Sequence, residues 1–353
     1  MIYCKAPFVS QKVGLIGGVC CNFPFDLEPT EEKIKQMRLD FLNGNENKYL
    51  ACVSCRLKNK FEKPEYDLAF LDSLMSLGAD GSISDFQPSN VDVFISNICN
   101  CACVSCGDIL STSHEANTKR KCYSNEQYKK AFEDFKSAIS NNKRLKTINM
   151  SYGEITMFPQ FDEICDLLEE HCEHLDEICI ISNGTNLARL KKVRNLKLDN
   201  LKLQISIDAV KRNKGLYIRT TDTENILDMV DFNFEVSMVI TILNCWDVEE
   251  IFERLDSMPN CTRVNVDIVS DPNWISISYM NLSEKLKLID YYVSLKDGRL
   301  EKAIGILRKN LQVLPINPTP FIEATDKVSI VDHNVLNPKT VEYLKRSVLT
   351  AIK

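Results

Sequence analysis

The stretch VDVFISNICNCACVSC, residues 91–106, decides the fold because it joins a strand pattern to a cysteine-rich loop. Its first part, VDVFIS at 91–96, is rich in β-branched and aromatic residues, which favours a β-strand. Its second part places four cysteines within eight positions: Cys99, Cys101, Cys103 and Cys106. Ligands of parallel α/β folds bind at the carboxyl ends of the strands. The stretch therefore predicts a strand followed directly by a binding loop.

Five more β-rich runs follow VDVFIS, and a helical pattern lies between each run and the next. The predicted strands are 91–96, 145–151, 175–182, 201–208, 234–242 and 263–270. The predicted helices are 125–140, 160–171, 186–194, 223–230 and 247–257. This alternation predicts a parallel sheet with right-handed crossovers. Six β/α units are fewer than the eight of a closed TIM barrel, so the sequence allows a partial barrel or a doubly wound sheet.

The composition is that of a globular protein, with 44% hydrophobic and 26% charged residues among 353. The net charge of −6 provides no basic footprint for nucleic acid at the level of the whole chain. We expect no membrane span, because no run of about 18 apolar residues occurs, and no signal-peptide pattern opens the sequence. We therefore expect a cytoplasmic protein. In that reducing compartment, clustering among the 15 cysteines indicates metal or iron–sulfur ligation rather than disulfides.

Three regions differ in pattern. Residues 1–60 are irregular and cysteine-rich, with one predicted helix near 30–43, and are too small for a large core of their own. Residues 88–280 hold the strand and helix series. Residues 281–353 read as helices divided by prolines, and we predict a helical carboxyl-terminal extension there.

The central cysteines have the spacing C-x3-C-x2-C at Cys99, Cys103 and Cys106. Three thiolates on one tight loop suit a four-iron, four-sulfur (4Fe-4S) cluster with one iron left open for chemistry. A three-cysteine zinc site and free thiols are the alternatives. The spacing, together with Asn100 after the first cysteine, resembles the signature loop of the radical S-adenosylmethionine (radical SAM) enzymes.

Two further motifs resemble the family's cofactor contacts in the second and third strands. Gly153 and Glu154 resemble a Gly-Gly-Glu element, with Tyr152 in place of the first glycine. The resemblance implies that this element contacts the amino group of SAM. Ser182 and Asn183 resemble a Thr-Asn-Gly turn at the rim of the cofactor site, although an ordinary turn has the same pattern.

Later strand ends match the family in the same order. Ser206 and Asp208 resemble a Ser-x-Asp element that faces the ribose or methionine of SAM. Arg219 matches the arginine of a Tyr-Ile-Arg element, whose planar guanidinium suits the SAM carboxylate. Asn244 follows the fifth strand, and we expect it at the same mouth. Ser105 departs from the family, which usually has a large apolar residue before the last cysteine to cover the adenine.

The amino-terminal cysteines resemble the auxiliary-cluster segment of SPASM/twitch-type radical SAM proteins. The resemblance implies that Cys4, Cys21, Cys52 and Cys55 bind a second 4Fe-4S cluster. Cys20 is then spare, although it could replace its neighbour. C-x2-C pairs such as CVSC are also usual in zinc knuckles, so zinc stays open at this site.

The resemblance implies a partial (β/α)6 TIM-like barrel and an enzyme. Reductive cleavage of SAM at the cluster would yield a radical that abstracts hydrogen from a substrate. An external one-electron donor such as flavodoxin or ferredoxin would supply the electron. We expect a peptide as substrate, with a carbohydrate, amino-acid or nucleotide-derived molecule left open. The contrasting hypothesis is a non-catalytic zinc-binding protein. No catalytic side chain is assigned.

Overall fold

The computed structural model describes residues 5–15, 30–43, 45, 66–269, 272–316, 318 and 333–351. Seven strands lie in these ranges: β1 Ser10–Gly14, β2 Asn90–Phe94, β3 Thr147–Met150, β4 Glu177–Ser182, β5 Leu201–Ser206, β6 Phe234–Ile240 and β7 Cys261–Ile268. The helices up to β5 are α1 Ala6–Val9, α2 Glu31–Leu42, α3 Asp67–Met75, α4 Thr112–Thr118, α5 Asn125–Ser140, α6 Phe161–His171 and α7 Leu187–Arg194. The later helices are α8 Arg212–Arg219, α9 Thr223–Met229, α10 Val248–Asp256, α11 Leu282–Leu295, α12 Glu301–Lys309 and α13 Pro338–Ala351.

The strands form a parallel sheet in chain order from β1 to β7. Each described strand pairing is parallel. The predicted α/β class with a partial, TIM-like series of β/α units is therefore confirmed. The structure adds one strand to the predicted six, because β1 pairs with β2 in the register Val13↔Val93.

The chain folds into two compact units. The first contains Met1–Asn97, Tyr123–Ile180 and Leu196–Lys202, and the second contains Ile98–Cys122, Ile181–Asn195 and Leu203–Lys353. The predicted boundaries of the segments 1–60, 88–280 and 281–353 stay predictions.

In the first unit, α5 shows how sequence dictates an element. Ser124 caps its start, accepting a hydrogen bond from the backbone N–H of Gln127 at 3.3 Å, while the Gln127 side chain accepts from the backbone N–H of Ser124 at 2.7 Å. This reciprocal capping satisfies two backbone donors that the helix cannot pair itself. Phe132, Phe135 and Ile139 are buried along one face of the helix. The cap and the apolar stripe together place α5 where 125–140 was predicted.

In the second unit, β5 and β6 alternate in burial. Leu203 and Ile205 of β5 are buried, as are Val236 and Met238 of β6, while the residues between them are half-buried. Successive side chains of a strand point to opposite faces, so one face of this part of the sheet is apolar and the other is polar. Helix α10 buries a matching apolar stripe that includes Val248, Ile251 and Leu255.

None of the helices in the part of the chain that the structure describes has the length and apolar composition needed to cross a membrane.

Candidate active site

The cysteine loop after β2 is held by hydroxyl groups at the start of α4. Ser111 donates to the carbonyl oxygen of Cys101 at 2.6 Å. Thr112 and Ser113 both donate to the carbonyl oxygen of Cys99, at 3.1 and 2.9 Å. A loop that follows a strand has no ladder partners of its own, so these side chains satisfy its backbone groups. They fix the backbone that carries the first cysteine of the motif.

A second set of bonds joins the loop to the end of α8. The N–H of Ala102 donates to Thr220 Oγ1 at 2.8 Å, and the N–H of Val104 donates to Ile218 O at 2.9 Å. Thr220 adopts the left-handed conformation, with φ of 57°. His114 Nε2 lies 2.9 Å from the carbonyl oxygen of Cys103. Hydrogen bonds from α4 and from the end of α8 thus fix the loop.

Polar groups surround the sulfur atoms of the motif. Cys99 Sγ accepts from the backbone N–H of Cys101 at 3.4 Å and from Asn183 Nδ2 at 3.7 Å. Cys103 Sγ lies 3.6 Å from the carbonyl oxygen of Arg219. Donors aimed at a sulfur stabilise its thiolate, which is the form that binds metal.

The thiols of the loop differ in acidity. A hydrogen bond from Cys101 lowers the pKa of Cys103 against the effect of burial, and the positive charge of Arg219 lowers it further. Hydrogen bonding to Cys103 and Cys99, with burial, raises the pKa of Cys101. Burial, aided by the charge of Cys103, raises the pKa of Cys106 to about 12. The pKa of the Cys103 thiol is thus lowered, whereas the pKa values of Cys101 and Cys106 are raised.

The turn after β4 reaches the same loop. Asn183 Nδ2 lies 2.8 Å from Asn100 Oδ1 and 3.0 Å from Cys101 Sγ. Gly184 follows with φ of 79°, and a Cβ added there would lie 2.8 Å from Ile205 Cγ2. Only glycine fits this close approach, so the Asn-Gly pair both turns the chain and seats Asn183 on the cysteine loop. The predicted residue Ser182 accepts the N–H of Gly184 at 3.1 Å.

A buried ion pair lies beside the loop. Arg219 Nη1 donates to Asp208 Oδ2 at 2.7 Å, and Asp208 Oδ1 accepts the backbone N–H of Val239 at the same distance. Burial acts to lower the pKa of Arg219, but the charges of Cys103 and Asp208 raise it above its usual value. Arg219 Nε is buried and has no hydrogen-bond partner among the described residues. The structure thus brings together two predicted residues and leaves one buried donor of the pair unused.

Both ends of the Asn244 side-chain amide form hydrogen bonds with backbone groups of the protein. Its Nδ2 donates to the carbonyl oxygens of Asp208 and Val239, both at 3.0 Å, and its Oδ1 accepts the N–H of Thr241 at 2.8 Å. The residue is completely buried. Asn244 therefore fixes the strand end that carries Asp208, and its predicted contact with a cofactor stays a prediction. Ser206 is half-buried at the end of β5.

Gly153 and Glu154 lie in the first unit. Glu154 is buried, and its Oε1 accepts from both the backbone N–H and the hydroxyl of Thr156, at 3.1 and 2.6 Å. Gly153 has φ of 62°, a backbone conformation that favours glycine. Tyr152, which replaces the family's first glycine, packs on Phe94 with ring centroids 4.7 Å apart. The carboxylate is therefore held in place by its own cap on the following turn.

The amino-terminal ligands Cys4, Cys21, Cys52 and Cys55, and the neighbouring Cys20, lie outside the described residues. Their assignment stays a prediction. Within the described ranges, no group of three or more His, Cys, Asp or Glu side chains is arranged around a single metal position.

Several residues that shape the loop were not predicted, among them Ser111, Thr112 and Thr220. The sequence did carry one signal for them: STSHE at 111–115 begins with a hydroxyl residue and has an acidic residue in its first turn, as helix starts do. Thr220 gave no such signal, because its role depends on a contact with Ala102 118 residues away in the chain.

No protein-family model matches the chain, and no curated protein matches it significantly. Solved structures of SuiB from Streptococcus suis are similar to it. SuiB bound to S-adenosylmethionine is 14% identical, with a TM-score of 0.44, over 76% of this chain and 64% of that one. SuiB alone is 14% identical, with a TM-score of 0.43, over 82% and 69%. SuiB bound to precursor peptide SuiA is 13% identical, with a TM-score of 0.43, over 75% and 59%.

This chain thus spans between 59% and 69% of the length of the SuiB chains. The chain is similar in structure to SuiB of Streptococcus suis, and its central loop carries the cysteine spacing by which it resembles the radical SAM enzymes.

Proposed function

We propose that this chain is a radical SAM enzyme whose 4Fe-4S cluster is held by Cys99, Cys103 and Cys106. The observation that carries the proposal is the C-x3-C-x2-C loop itself, fastened between α4 and α8 and packed beside a buried arginine. Sulfur donors in this number and spacing suit an iron–sulfur cluster with one open iron.

The surroundings of the loop cysteines support this proposal. Burial raises the pKa of Cys106, so its thiol needs a cation nearby to ionise. The backbone N–H of Cys101 and the amide of Asn183 already point at Cys99 Sγ, as outer partners of cluster sulfurs do. Cys101 itself is hydrogen-bonded by Asn183 and is the spare cysteine of the loop.

When bound, the reduced cluster supplies the electron that splits SAM into methionine and a 5′-deoxyadenosyl radical, which abstracts hydrogen from the substrate. The protein's part is to bind and orient SAM. Arg219, with its unused buried Nε, would pair with the SAM carboxylate, because a guanidinium fork matches that group. Asp208 holds the guanidinium in place and keeps its charge compensated when no SAM is bound.

The remaining predicted residues keep the roles that the resemblance implies for them. Gly153 and Glu154 would meet the amino group, since a carboxylate forms a charge-assisted bond with an ammonium. Ser206 would face the ribose or methionine. Ser182, Asn183 and Asn244 would act mainly through the backbone turns that they hold.

We propose further that Cys4, Cys21, Cys52 and Cys55 bind an auxiliary 4Fe-4S cluster. A flavodoxin or ferredoxin in the cytoplasm would donate the electron. A peptide is the substrate class we favour, because members of the resembled family with auxiliary clusters often modify ribosomal peptides. Zinc at the amino-terminal cysteines is the alternative.

The test is reductive SAM cleavage by protein reconstituted with iron and sulfide without oxygen. With dithionite and SAM, the wild-type chain should form 5′-deoxyadenosine, and the variant Cys103→Ala should form none. Cys122→Ala is the matched control, because Cys122 is a free cysteine outside the motif. It should keep wild-type cleavage.

Metal content separates the alternatives. Two clusters correspond to about eight irons per chain and a brown protein. A colourless preparation that carries zinc, or an iron-loaded one that yields no 5′-deoxyadenosine, would overturn the proposal.

A further inference from the structure

A cavity of about 720 Å³ lies at one face of β5, β6 and β7, within the second unit. Its lining includes Gln204, Ser237 and Asn265. Parallel strands are usually covered on both faces by apolar side chains. This face is polar instead, and its volume falls in the range of about 300 to 1,000 Å³ typical of small-ligand sites. A polar occupant would suit this polar face.

The basic side chains around the cavity differ in whether they form ion pairs. Lys302 pairs with Asp267 at 3.0 Å. Arg299 is engaged by Asp297 and by Asp256, at 2.5 and 2.7 Å. Arg263 also lines the cavity, is exposed, and has no ion pair within the described ranges. The positive charge of Arg263 is therefore available to bind an anionic group.

The carboxylate across the strands from Arg263, that of Glu235, is hydrogen-bonded to other side chains. Glu235 is the cross-strand partner of Arg263 in the register of β6 and β7. Opposite charges at such a position usually attract. Here, however, Glu235 Oε2 accepts from Gln204 Nε2 at 3.2 Å and from Asn265 Nδ2 at 2.8 Å. The side-chain amides of Gln204 and Asn265 hold the carboxylate of Glu235. The guanidinium of Arg263 is therefore available to bind a ligand.

We infer that this cavity binds a carboxylate of the substrate, with Arg263 as its anchor. The inference rests on the proposed function, because it describes the substrate of that enzyme. A guanidinium presents parallel N–H groups that match a carboxylate, and the hydroxyl of Ser237 and the amide of Asn265 line the same space. The substrate class is an acidic peptide. The carboxylate comes from a glutamate or aspartate side chain or from the chain terminus.

The test measures binding of labelled tripeptide probes to the reconstituted full chain by fluorescence anisotropy. The probes are amidated triglutamate, amidated triglutamine, and triglutamine with a free carboxyl terminus. Triglutamate should bind at least tenfold more tightly than amidated triglutamine. The third probe distinguishes a terminal carboxylate from a side-chain carboxylate, since preferential binding of it assigns the site to the chain end.

Arg263→Gln should weaken binding of the preferred acidic probe at least tenfold, and Arg263→Lys should restore part of the loss because the charge remains. Arg308→Gln is the matched control. It removes an exposed arginine of α12 that does not line the cavity, and binding should stay within about twofold of wild type. Equal losses in Arg263→Gln and Arg308→Gln, or no preference for an acidic probe, would overturn the inference.

This test is separate from that of the proposed function. Arg263→Gln should still cleave SAM with dithionite, because the residue is not among those assigned to the cofactor. A chain that cleaves SAM but ignores acidic probes refutes only the inference, while one that binds the probes without cleaving SAM refutes the proposed function.

Discussion

At the scale of single residues, the pair Arg219 and Asp208 is the most consequential contact of the candidate site. The side chains are 12% and 3% exposed, so Asp208 is a buried countercharge of Arg219. Removing one partner of a buried pair leaves the other charge without a counterpart, which costs about 3–5 kcal/mol. The pair therefore supports the stability of the second unit as well as its proposed chemistry.

Asp208→Asn should lower the free energy of unfolding by about 3–5 kcal/mol, because the buried Arg219 loses its hydrogen-bonded carboxylate partner. Urea denaturation followed by circular dichroism measures this. The matched control is Asp228→Asn, which breaks an exposed pair with Arg254, where the side chains are 62% and 38% exposed. It should cost less than about 1 kcal/mol. Equal costs for the two variants would show that burial does not strengthen the first pair.

At the scale of elements, α4 is a short helix whose start does two tasks. Ser111 is completely buried, and its Oγ accepts the N–H of Ser113 at 3.2 Å while donating to Cys101 O. Thr112 and Ser113 add their bonds to Cys99 O. One turn of helix thus caps itself and fastens the cysteine loop.

Ser111→Ala should cost about 1–2 kcal/mol of stability, since it removes a helix cap and leaves a carbonyl oxygen of the loop without its donor. It should also speed the loss of iron from the reconstituted protein under a chelator. Ser124→Ala is the matched control, because Ser124 also caps the start of a helix, that of α5. That variant should lose a similar amount of stability and retain iron at the wild-type rate. Identical iron loss in both would mean that Ser111 acts through stability alone.

At the scale of the whole molecule, polar bonds join the carboxyl-terminal helices to the rest of the second unit. Asn337, just before α13, donates to Trp246 O at 3.1 Å and to Asp247 Oδ1 at 2.9 Å. Asp247 also binds the buried Lys214 at 2.7 Å. Tyr292 of α11 donates to Cys245 O at 3.0 Å. These bonds converge on the segment 245–247, which precedes α10.

Asn337→Ala should therefore lower the free energy of unfolding by about 1–3 kcal/mol, because buried acceptors lose their donor. Hydrogen exchange measured by mass spectrometry should show faster exchange in α10 as well as in α13. Acceleration confined to α13 would instead indicate an extension that unfolds independently, as the predicted boundary at 281 implies.

Much of the architecture was predictable because local patterns determine it. Each predicted strand begins and ends within two residues of an observed one, since runs such as LKLQIS and FEVSMVI carry the β-branched and alternating residues of buried strands. Strand β1 was missed because SQKVG is short and polar. Helix α8 was missed because RNKGLYIR contains Gly215, a poor helix former. A Cβ at Gly215 would lie 2.3 Å from Thr223 Oγ1, so packing against the start of α9 outweighs helix propensity.

The candidate site was predictable only as far as its residues lie in short motifs. The cysteine spacing and the strand-end residues are local and could be read directly. The pairing of Arg219 with Asp208, and the use of the Asn244 amide by three backbone groups, depend on how separate strand ends meet. Such contacts are set by tertiary packing, which a single sequence does not display.

At Thr220 the backbone conformation and the hydrogen bond of the side chain favour different residues. A left-handed backbone costs a residue with a Cβ about 1–2 kcal/mol, so glycine would be more comfortable there. A side-chain oxygen is needed, however, to accept the N–H of Ala102 and so hold the loop, and Thr220 Oγ1 supplies it. Selecting a randomised library for heat resistance alone should enrich glycine at this position, whereas selecting for turnover should return threonine.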